Sequence, residues 1–315
     1  MATGRDLHID APLSNLAIKA FNGAEDFVGP KLFPIIPVDK QSNKYYTISK
    51  DQWLRVPSSL RAPKTSPRRI EFDVSSDSYF AFNYALAAEN ALEDLDNADV
   101  ALRLRETSTQ NVTEALLRDL EVRLVNLVTS ISNIGSGVAL TGTNKWSDFT
   151  NSDPIADITS GHAFIQNNTG LLANTLVIDK DTFYTVRRHP VLLDMFKYTQ
   201  GGMLEEAQLK SVFGVDTIHI ARGIKNIGIE GQVGSLANIW GNIALLARVI
   251  PAMSVQTATF GLAFRWTPAG VPSDMQVFRY NDADPGKKIE VLECGYYQDE
   301  QIVAPQLAYL INNTL

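Results

Sequence analysis

The stretch TSTQNVTEALLRDLEVRLVNLVTSI, residues 107–131, carries the longest uninterrupted helical signal in the chain. Its apolar residues recur every three or four positions, which predicts an amphipathic helix with one buried stripe. Thr107 and Gln110 have the spacing of a capping box, so we expect the helix to begin at Thr107. Asp119 and Arg123 are spaced as an i,i+4 ion pair on its polar side. The predicted stripe comprises Val112, Leu116, Leu117, Leu120, Leu124, Leu127, Val128 and Ile131.

Composition and charge are those of a globular chain with a sizeable core. The 315 residues are 45% hydrophobic and 20% charged, enough for about two domains. The net charge of −7 argues against a dedicated nucleic-acid-binding protein, because phosphate contacts need a basic surface. No apolar run reaches the ~18 residues of a membrane span, and the N-terminus lacks the layout of a signal peptide. The one cysteine, Cys294, excludes an intrachain disulfide, and we expect a buried thiol and synthesis in a reducing cytoplasm.

Two segments that precede the helix are extended in character. Residues 1–40 combine several prolines with many apolar side chains, which predicts an arm that lies on its own body or on a neighbour. Residues 41–84 are expected to form a protruding β-hairpin. Its strands are predicted at 70–74 and 80–84, where apolar and polar residues alternate, with a turn at 76–77.

Two blocks of opposite charge lie in and after this hairpin. The proline-rich loop 55–69 contains no acid, and a loop of that length is usually functional or disordered. Its basic residues are Arg55, Arg61, Lys64, Arg68 and Arg69. The segment 89–99 contains no basic residue, and its acidic residues are Glu89, Glu93, Asp94, Asp96 and Asp99. The acidic block has two interpretations, a solvated connector or a docking surface for the basic loop.

The region after the long helix has the pattern of a second unit with short helices and strands. Asp179 is an expected N-cap, Pro190 an expected helix start and Gly214 an expected helix stop. The run 242–250 is almost wholly apolar, as is typical of a central strand. We predict helices near 155–167, 180–188, 191–196 and 203–213, and strands near 175–178, 217–221, 242–250, 260–266, 288–297 and 302–310.

The sequence contains no recognisable catalytic, cofactor-binding or metal-binding motif. HExxH, CxxC and GxSxG are absent, and the four histidines lack the spacing of metal ligands. The glycine-rich stretch NIGIEGQVGS, residues 226–235, lacks the Lys-Ser/Thr pair of a phosphate loop, and a turn between strands explains it better. We therefore predict no catalytic residue, no cofactor and no metal. An enzyme whose site is assembled from distant residues remains an alternative.

An ordered set of segments resembles a known family. NGAEDFVGPKLFPIIPVDKQSNKYYTI, then SPRRIEFDVSSDSYFAFNYALAAE, then EDLDNAD and the long helix are similar to the major capsid proteins of tailed bacteriophages with the Hong Kong 97-like fold. So are NTLVIDKDTFYTVRRHPVLLDMFKYTQGGMLEEAQLKSVFGVDTIHI and VLECGYYQDEQIVAPQLAYLI. The resemblance covers roughly residues 10–312, and its specificity comes from the order of the segments.

The resemblance implies an α+β capsid fold with four named parts. These are an N-terminal arm (1–40), an extended loop formed by a β-hairpin (41–84), a peripheral domain with a spine helix (85–170 and return strands 268–300), and an apical domain (171–267 and a C-terminal strand 301–315). Its function would be self-assembly into hexamers and pentamers of an icosahedral shell around double-stranded DNA. The rival with the same fold is an encapsulin-like bacterial nanocompartment.

The resemblance also implies partners and a location. We expect a portal, in some cases decoration proteins, and a separate scaffolding protein, because Met1 lies close to the arm. DNA would be enclosed without sequence-specific binding, no membrane would be involved, and shells would form in the host cytoplasm and become the virion capsid. For the contacts between subunits, we hypothesise that Arg55, Arg61, Lys64, Arg68 and Arg69 meet Glu93, Asp94, Asp96 and Asp99 of a neighbour.

Overall fold

The protein is a mixed helix and sheet structure, taken here from a computed structural model. The structure describes residues 8–9, 13, 17, 27–48, 54–56, 58–61, 63–67, 69, 74–97, 103–196, 204–228, 234–251, 258–268, 275–282, 284 and 286–315. The helices are α1 (Gly29–Leu32), α2 (Leu92–Asn97), α3 (Leu104–Val128), α4 (Ile131–Ile134), α5 (Pro154–Thr169), α6 (Lys180–Val186), α7 (Pro190–Phe196) and α8 (Glu206–Phe213). The strands are β1 (His8–Ile9), β2 (Ile35–Val38), β3 (Ser42–Ile48), β4 (Val74–Phe80), β5 (Phe82–Ala91), β6 (Gly137–Ala139), β7 (Thr175–Asp179), β8 (Thr217–Ala221), β9 (Ile224–Asn226), β10 (Leu236–Asn238), β11 (Ile243–Ala247), β12 (Gly261–Trp266), β13 (Gln276–Asn281), β14 (Ile289–Ile302) and β15 (Ala308–Asn312).

The first sheet is built around the long strand β14. Its order is β1-β13-β14-β12-β2, and β5 pairs with residues 289–298 of β14. Arg265 of β12 and Phe82 of β5 both lie opposite Gln298, so these two strands flank β14 on different sides. Strand β5 is therefore an outer strand of this sheet. Helix α3 packs against β5 and β14.

The second sheet has the order β6-β15-β11-β7-β8. Strand β11 is central, and all five of its residues are buried, as expected for a strand covered on both faces. Strands β7 and β8 run parallel, and α6, α7 and α8 lie between them in the chain. Helix α5 packs on β15 and β11, which covers one face of the sheet.

The long helix is present, but it begins earlier than predicted. Helix α3 starts at Leu104 after Arg103, whose φ is 39° and which makes no side-chain cap hydrogen bond. Thr107 lies inside the first turn, where its N–H donates to the Arg103 carbonyl, so the predicted capping box is wrong. The helix ends at Val128, which leaves Ile131 exposed outside it. The remaining stripe residues are buried except Leu127, which is partly buried and packs against the same core.

The hairpin in the N-terminal third pairs differently from the prediction. Strand β4 pairs with β3, so the predicted turn at 76–77 lies in mid-strand, opposite Tyr46 and Tyr45. Residues 80–84 do not return along the first strand, because β5 joins β14 instead. Residues 70–73 lie outside the described part of the chain. The basic loop consequently connects β3 to β4 at the tip of the hairpin.

Three elements pack with a different sheet from the one that the predicted domain boundaries imply. Strand β12, predicted within the unit 171–267, pairs with β14 of the first sheet. Strand β6 and helix α5, predicted within 85–170, pack with the second sheet. All three shifts have the same physical reason: strands and helices are assigned to a layer by what they pair with and pack on, and those partners are distant in the chain.

Most of the local predictions after the long helix are confirmed. The side chain of Asp179 accepts a hydrogen bond from the Asp181 N–H at the start of α6, and Gly214 ends α8 with a φ of 64°. The stretch 226–235 joins the antiparallel strands β9 and β10, although residues 229–233 lie outside the described residues. Cys294 is fully buried, and burial raises the pKa of its thiol to about 12.

The described residues of the N-terminal segment lie on the protein's own body. Leu13 and Ala17 belong to the main hydrophobic core. Strand β1 pairs with β13, and β2 runs parallel to β12. The sequence predicted that this arm lies on its own body or on a neighbour, and the described residues lie on their own body.

Candidate assembly surfaces

The base of the β3–β4 hairpin is fixed to the first sheet by an aromatic cluster. The Tyr79 ring stacks on Phe264 of β12 at a centroid distance of 4.6 Å, and the Tyr45 ring lies 5.1 Å from the same ring. The Phe80 N–H donates to the Asp299 carboxylate of β14 over 2.9 Å. Burial, together with nearby Asp77, raises the pKa of Tyr45 to about 12, so its hydroxyl stays protonated. The base of the hairpin is therefore anchored to β12 and β14.

The tip of the hairpin, residues 49–73, exposes both basic and apolar side chains. Of the five predicted basic residues, the structure describes four, all exposed: Arg55, Arg61, Lys64 and Arg69. Arg68 lies outside the described residues. Val56 and Leu60, between these charges, are 93% and 95% exposed. Their exposure makes this tip a candidate surface for contact with another chain.

The predicted acidic residues lie at the opposite end of the β4–β5 stretch. Glu93, Asp94 and Asp96 are exposed on α2, directly after β5, whereas Asp99 lies outside the described residues. Within the described residues, no ion pair joins these acids to the basic tip. The described members of the two predicted charge sets therefore form no ion pair with each other within one subunit.

The β4–β5 stretch exposes three apolar side chains, at the end of β4 and in the first half of β5, away from these acids. Phe80, Phe82 and Leu86 are 45%, 52% and 42% exposed, and the rings of Phe80 and Phe82 meet edge to face at 4.9 Å. Outer strands with exposed apolar side chains are prone to pair or pack with another chain. Residue-by-residue analysis missed these exposed side chains, although the alternation Phe80, Phe82, Tyr84 in the sequence was their signal.

Glu121 of α3 joins three parts of the subunit, and the sequence analysis missed it. Its side chain is fully buried and accepts hydrogen bonds from the N–H groups of Val28 (3.0 Å) and Gly29 (2.6 Å). The indole N–H of Trp240, before β11, donates to the same carboxylate. Burial raises the pKa of Glu121, and the three donors oppose that rise. A Cβ on Gly29 would lie 2.5 Å from a methyl group of Leu124 and 2.7 Å from the Glu121 carboxylate, so a larger residue here would require both side chains to shift.

Arg123, two residues along α3, joins the helix to the first sheet. Its guanidinium pairs with Asp119 at 3.1 Å, as predicted, and also with the Glu300 carboxylate of β14 at 3.2 Å. It donates to the Tyr296 hydroxyl over 3.0 Å and lies 3.4 Å from the centroid of the Tyr84 ring of β5. Helix α3 is therefore tied to β14 and β5 by Arg123 and to the N-terminal segment and the second sheet by Glu121.

The described part of the chain offers neither a metal site nor a membrane span. It contains no group of three or more histidine, cysteine or acidic side chains arranged to hold a metal ion. No helix among the described residues combines the length and apolar character needed to cross a bilayer.

Comparisons with known proteins show that the chain is similar to phage capsid proteins. No protein-family model matches the chain. The chain is 28% identical to the major capsid protein of Pseudomonas phage JBD67 over 314 residues. The aligned region covers 98% of this chain and 97% of that protein. A phage-related protein from Bordetella bronchiseptica RB50 has a similar crystal structure, with a TM-score of 0.75 and 22% identity over 98% of both chains. The capsid structure of the cyanophage P-SCSP1u has a TM-score of 0.59 at 11% identity, covering 89% of this chain and 86% of that one. The predicted resemblance to tailed-phage major capsid proteins of the Hong Kong 97-like fold is thus confirmed, at the level of sequence and of fold.

Proposed function

We propose that this chain is a major capsid protein that self-assembles into hexamers and pentamers of an icosahedral shell enclosing double-stranded DNA. The observation that carries the proposal is the match to a phage major capsid protein along nearly the whole of both chains. The exposed, basic and apolar hairpin tip supports it, because a monomer would leave this surface in water. A relative from a phage favours this function over a bacterial nanocompartment.

The two sheets correspond to the two domains of the capsid fold. In this proposal the first sheet and α3 form the peripheral domain, and the second sheet with α5 to α8 forms the apical domain. The β3–β4 hairpin is the extended loop, and the segment before it is the N-terminal arm. Glu121 and Arg123 hold these parts at a fixed angle, so that each loop reaches its neighbour in the same direction.

Contacts between subunits are additive and partly ionic. Each basic residue of the tip (Arg55, Arg61, Lys64, Arg68 and Arg69) faces the acidic residues that follow β5 (Glu93, Asp94, Asp96 and Asp99) on an adjacent subunit. Exposed ion pairs contribute only about 0–1 kcal/mol each, so their role is to set orientation and register. Repetition around a closed shell makes such weak contacts sufficient.

A charge exchange tests the ionic part of this proposal. Arg68→Glu with Arg69→Glu is expected to lower shell yield, and adding Glu93→Lys with Asp94→Lys is expected to restore part of it, because the sign of both surfaces is then exchanged. Shells are counted by negative-stain electron microscopy. Normal yield from the first variant would contradict the ionic contact.

The partners follow from the same function. A separate scaffolding protein and a portal take part in assembly, decoration proteins bind the finished shell in some phages, and the protein ends in the virion capsid after assembly in the host cytoplasm. The net charge of −7 suits a container that encloses DNA without sequence-specific binding. The subunit carries out no catalysis in this role.

The decisive experiment is to express the protein and determine the size of its assemblies. We expect capsomers or megadalton particles by analytical ultracentrifugation, and closed shells by cryo-electron microscopy. A stable monomer or small oligomer at all concentrations would contradict the proposal. A shell from native lysate that encloses an enzyme in place of DNA would favour the nanocompartment.

A further inference from the structure

We propose that Glu121 is a proton-operated latch that holds residues 27–33 in the junction between the two sheets, more firmly in acidic than in alkaline solution. The latch is a property of the single subunit, so it goes beyond the proposed shell function and does not rest on it. Three separate parts of the chain meet at this one buried carboxylate.

Residues 27–33 lie between the two sheets. At one end, Phe27 packs beside Gly223, which follows β8 of the second sheet, and a Cβ on Gly223 would lie 3.7 Å from the Phe27 ring. At the other end, the Phe33 ring lies 5.7 Å from the ring of Phe260, which precedes β12 of the first sheet. The segment contributes several buried side chains to the main hydrophobic core. It therefore fills the junction, and a group that anchors it also anchors the contact between the sheets.

Glu121 is the acceptor that fixes this segment to α3. Its Oε1 accepts hydrogen bonds from the Val28 N–H over 3.0 Å and from the indole N–H of Trp240, and its Oε2 accepts one from the Gly29 N–H over 2.6 Å. Trp240 precedes β11 of the second sheet. Because Glu121 is fully buried, its carboxylate reaches water only after one of these partners moves away. One side chain thus holds α1, α3 and the approach to β11 together.

The charged group that acts on Glu121 from across the junction is Lys31 of α1. Burial raises the pKa of Glu121, whereas the three hydrogen bonds and then the Lys31 charge lower this pKa, and burial is the largest of these effects. Lys31 also faces His219 of β8, whose pKa is lowered by burial first and then by the Lys31 charge. Glu206 and Lys210 of α8 act on the same imidazole. The net result is a carboxyl that binds its proton more tightly in the junction than in water.

Protonation of this carboxyl therefore closes the latch. In the closed junction the pKa of Glu121 lies above its ordinary value of 4.5, to which a carboxylate released into water returns. The closed state binds the proton more tightly, so acid favours it, and this advantage is lost as the pH rises through the closed-state pKa. The neutral carboxyl keeps acceptor capacity for the N–H donors. Each unit between the two pKa values changes the ratio of closed to open states about tenfold.

Amide hydrogen exchange tests the latch directly, because two of its three donors are backbone N–H groups. Unassembled subunits of the wild type and of Glu121→Gln are exchanged in deuterated buffers between about pH 5 and about pH 8. Protection, corrected for the intrinsic exchange rate at each pH, is read by mass spectrometry with electron-transfer fragmentation. We expect protection of the Val28 and Gly29 amides to fall with rising pH in the wild type, by up to about tenfold per unit of the pKa difference. In Glu121→Gln, whose side chain does not titrate, it should stay constant.

A matched control amide is that of Gly170, which donates to the Gln166 carbonyl at the end of α5 over 2.8 Å, without a titratable side chain. Its protection should not change with pH in either protein. Glu121→Gln keeps Lys31 and His219, so a pH effect of those groups would appear in both proteins. Constant protection in the wild type, an equal fall in Glu121→Gln, or a parallel fall at Gly170 would each overturn the latch while leaving the shell function intact. Subunits that never form shells would overturn the shell function and leave the latch standing.

A second variant keeps the latch carboxyl and changes an exposed side chain. Lys31→Gln removes the positive charge that lowers the pKa of Glu121, so the fall in protection of the Val28 and Gly29 amides should move to higher pH. A fall at the same or a lower pH would contradict the assignment of the titrating group to Glu121. The wild type and Lys31→Gln therefore decide the proposal even where Glu121→Gln does not fold.

Discussion

Glu121 allows the sharpest prediction about the stability of the subunit. Its buried carboxylate accepts three hydrogen bonds, from the N–H groups of Val28 and Gly29 and from the Trp240 indole. In Glu121→Ala all three donors lose their partner, and each buried donor left unsatisfied costs about 1–3 kcal/mol. Relief of the buried charge offsets part of this cost, so we expect a net loss of about 3–5 kcal/mol, as for a broken buried polar network.

Glu121→Gln should fall between the wild type and Glu121→Ala. The amide oxygen of glutamine accepts the two donors that now share Oε1, but its NH₂ group then faces the Gly29 N–H. One donor stays unsatisfied, which corresponds to a loss of about 1–3 kcal/mol. The free energy of unfolding is measured by urea titration of unassembled subunits, followed by circular dichroism and tryptophan fluorescence.

The pH dependence of the unfolding free energy of the wild type and of Glu121→Gln provides an independent check. Burial raises the pKa of Glu121 above its ordinary value of 4.5, so the folded state binds this proton more tightly than the unfolded state does. The resulting contribution to stability is fully present below about pH 4.5 and is lost as the pH rises through the folded pKa. The difference in unfolding free energy between the wild type and Glu121→Gln should therefore be larger at acidic than at neutral pH.

The control for both experiments is Glu114→Gln, an exposed position on the same helix, where a change within about 0.5 kcal/mol is expected. Two results would refute the reasoning: Glu121→Gln as stable as the wild type, or Glu121→Ala more stable than Glu121→Gln. Either would mean that the three donors find other partners when the carboxylate is removed.

Three further predictions concern other buried groups. Arg123→Lys removes the planar guanidinium that contacts Glu300 and the Tyr84 ring. We expect the free energy of unfolding to fall by about 1–3 kcal/mol in a urea titration. The exposed control Arg118→Lys should change the free energy of unfolding little. The thiol of Cys294, buried and with a pKa raised to about 12, should react with a thiol reagent only as fast as the subunit unfolds; rapid labelling of folded protein would contradict its placement. Burial lowers the pKa of His189 below its ordinary value of 6.5. The stability that the neutral imidazole contributes should therefore be present above about pH 6.5 and decline as the pH falls below that value. Urea titrations at several pH values should show a smaller decline for His189→Gln than for the wild type.

Elements whose sequence signal is local were predicted correctly. The stripe of α3, the Asp179 cap, the Gly214 stop and the buried strand β11 depend on residues a few positions apart, and all four are confirmed. The start of α3 was placed at Thr107 because a capping-box spacing is present, but the chain enters the helix earlier, after a left-handed Arg103. A cap motif inside a longer helix-forming stretch does not by itself end the helix.

Features that depend on distant partners were predicted less well. The strand partner of Val74–Phe80 is a segment about thirty residues earlier, and an alternating pattern with a polar pair in the middle is equally compatible with one long strand or with a hairpin. The basic tip and the acidic segment are separate blocks in the sequence, but the exposure of their side chains depends on the tertiary structure.

The sequence by itself determined the spine helix, the order of segments that identifies the capsid fold, and the separation of positive from negative charge. Only the tertiary structure decided the role of Glu121, which lies in the apolar stripe of α3 between Leu117 and Leu124. Its three donors come from residues 92 to 119 positions away in the chain. Whether a carboxylate in such a stripe is tolerated depends on donors that only the folded chain brings to it, because an unpaired buried charge is strongly destabilising.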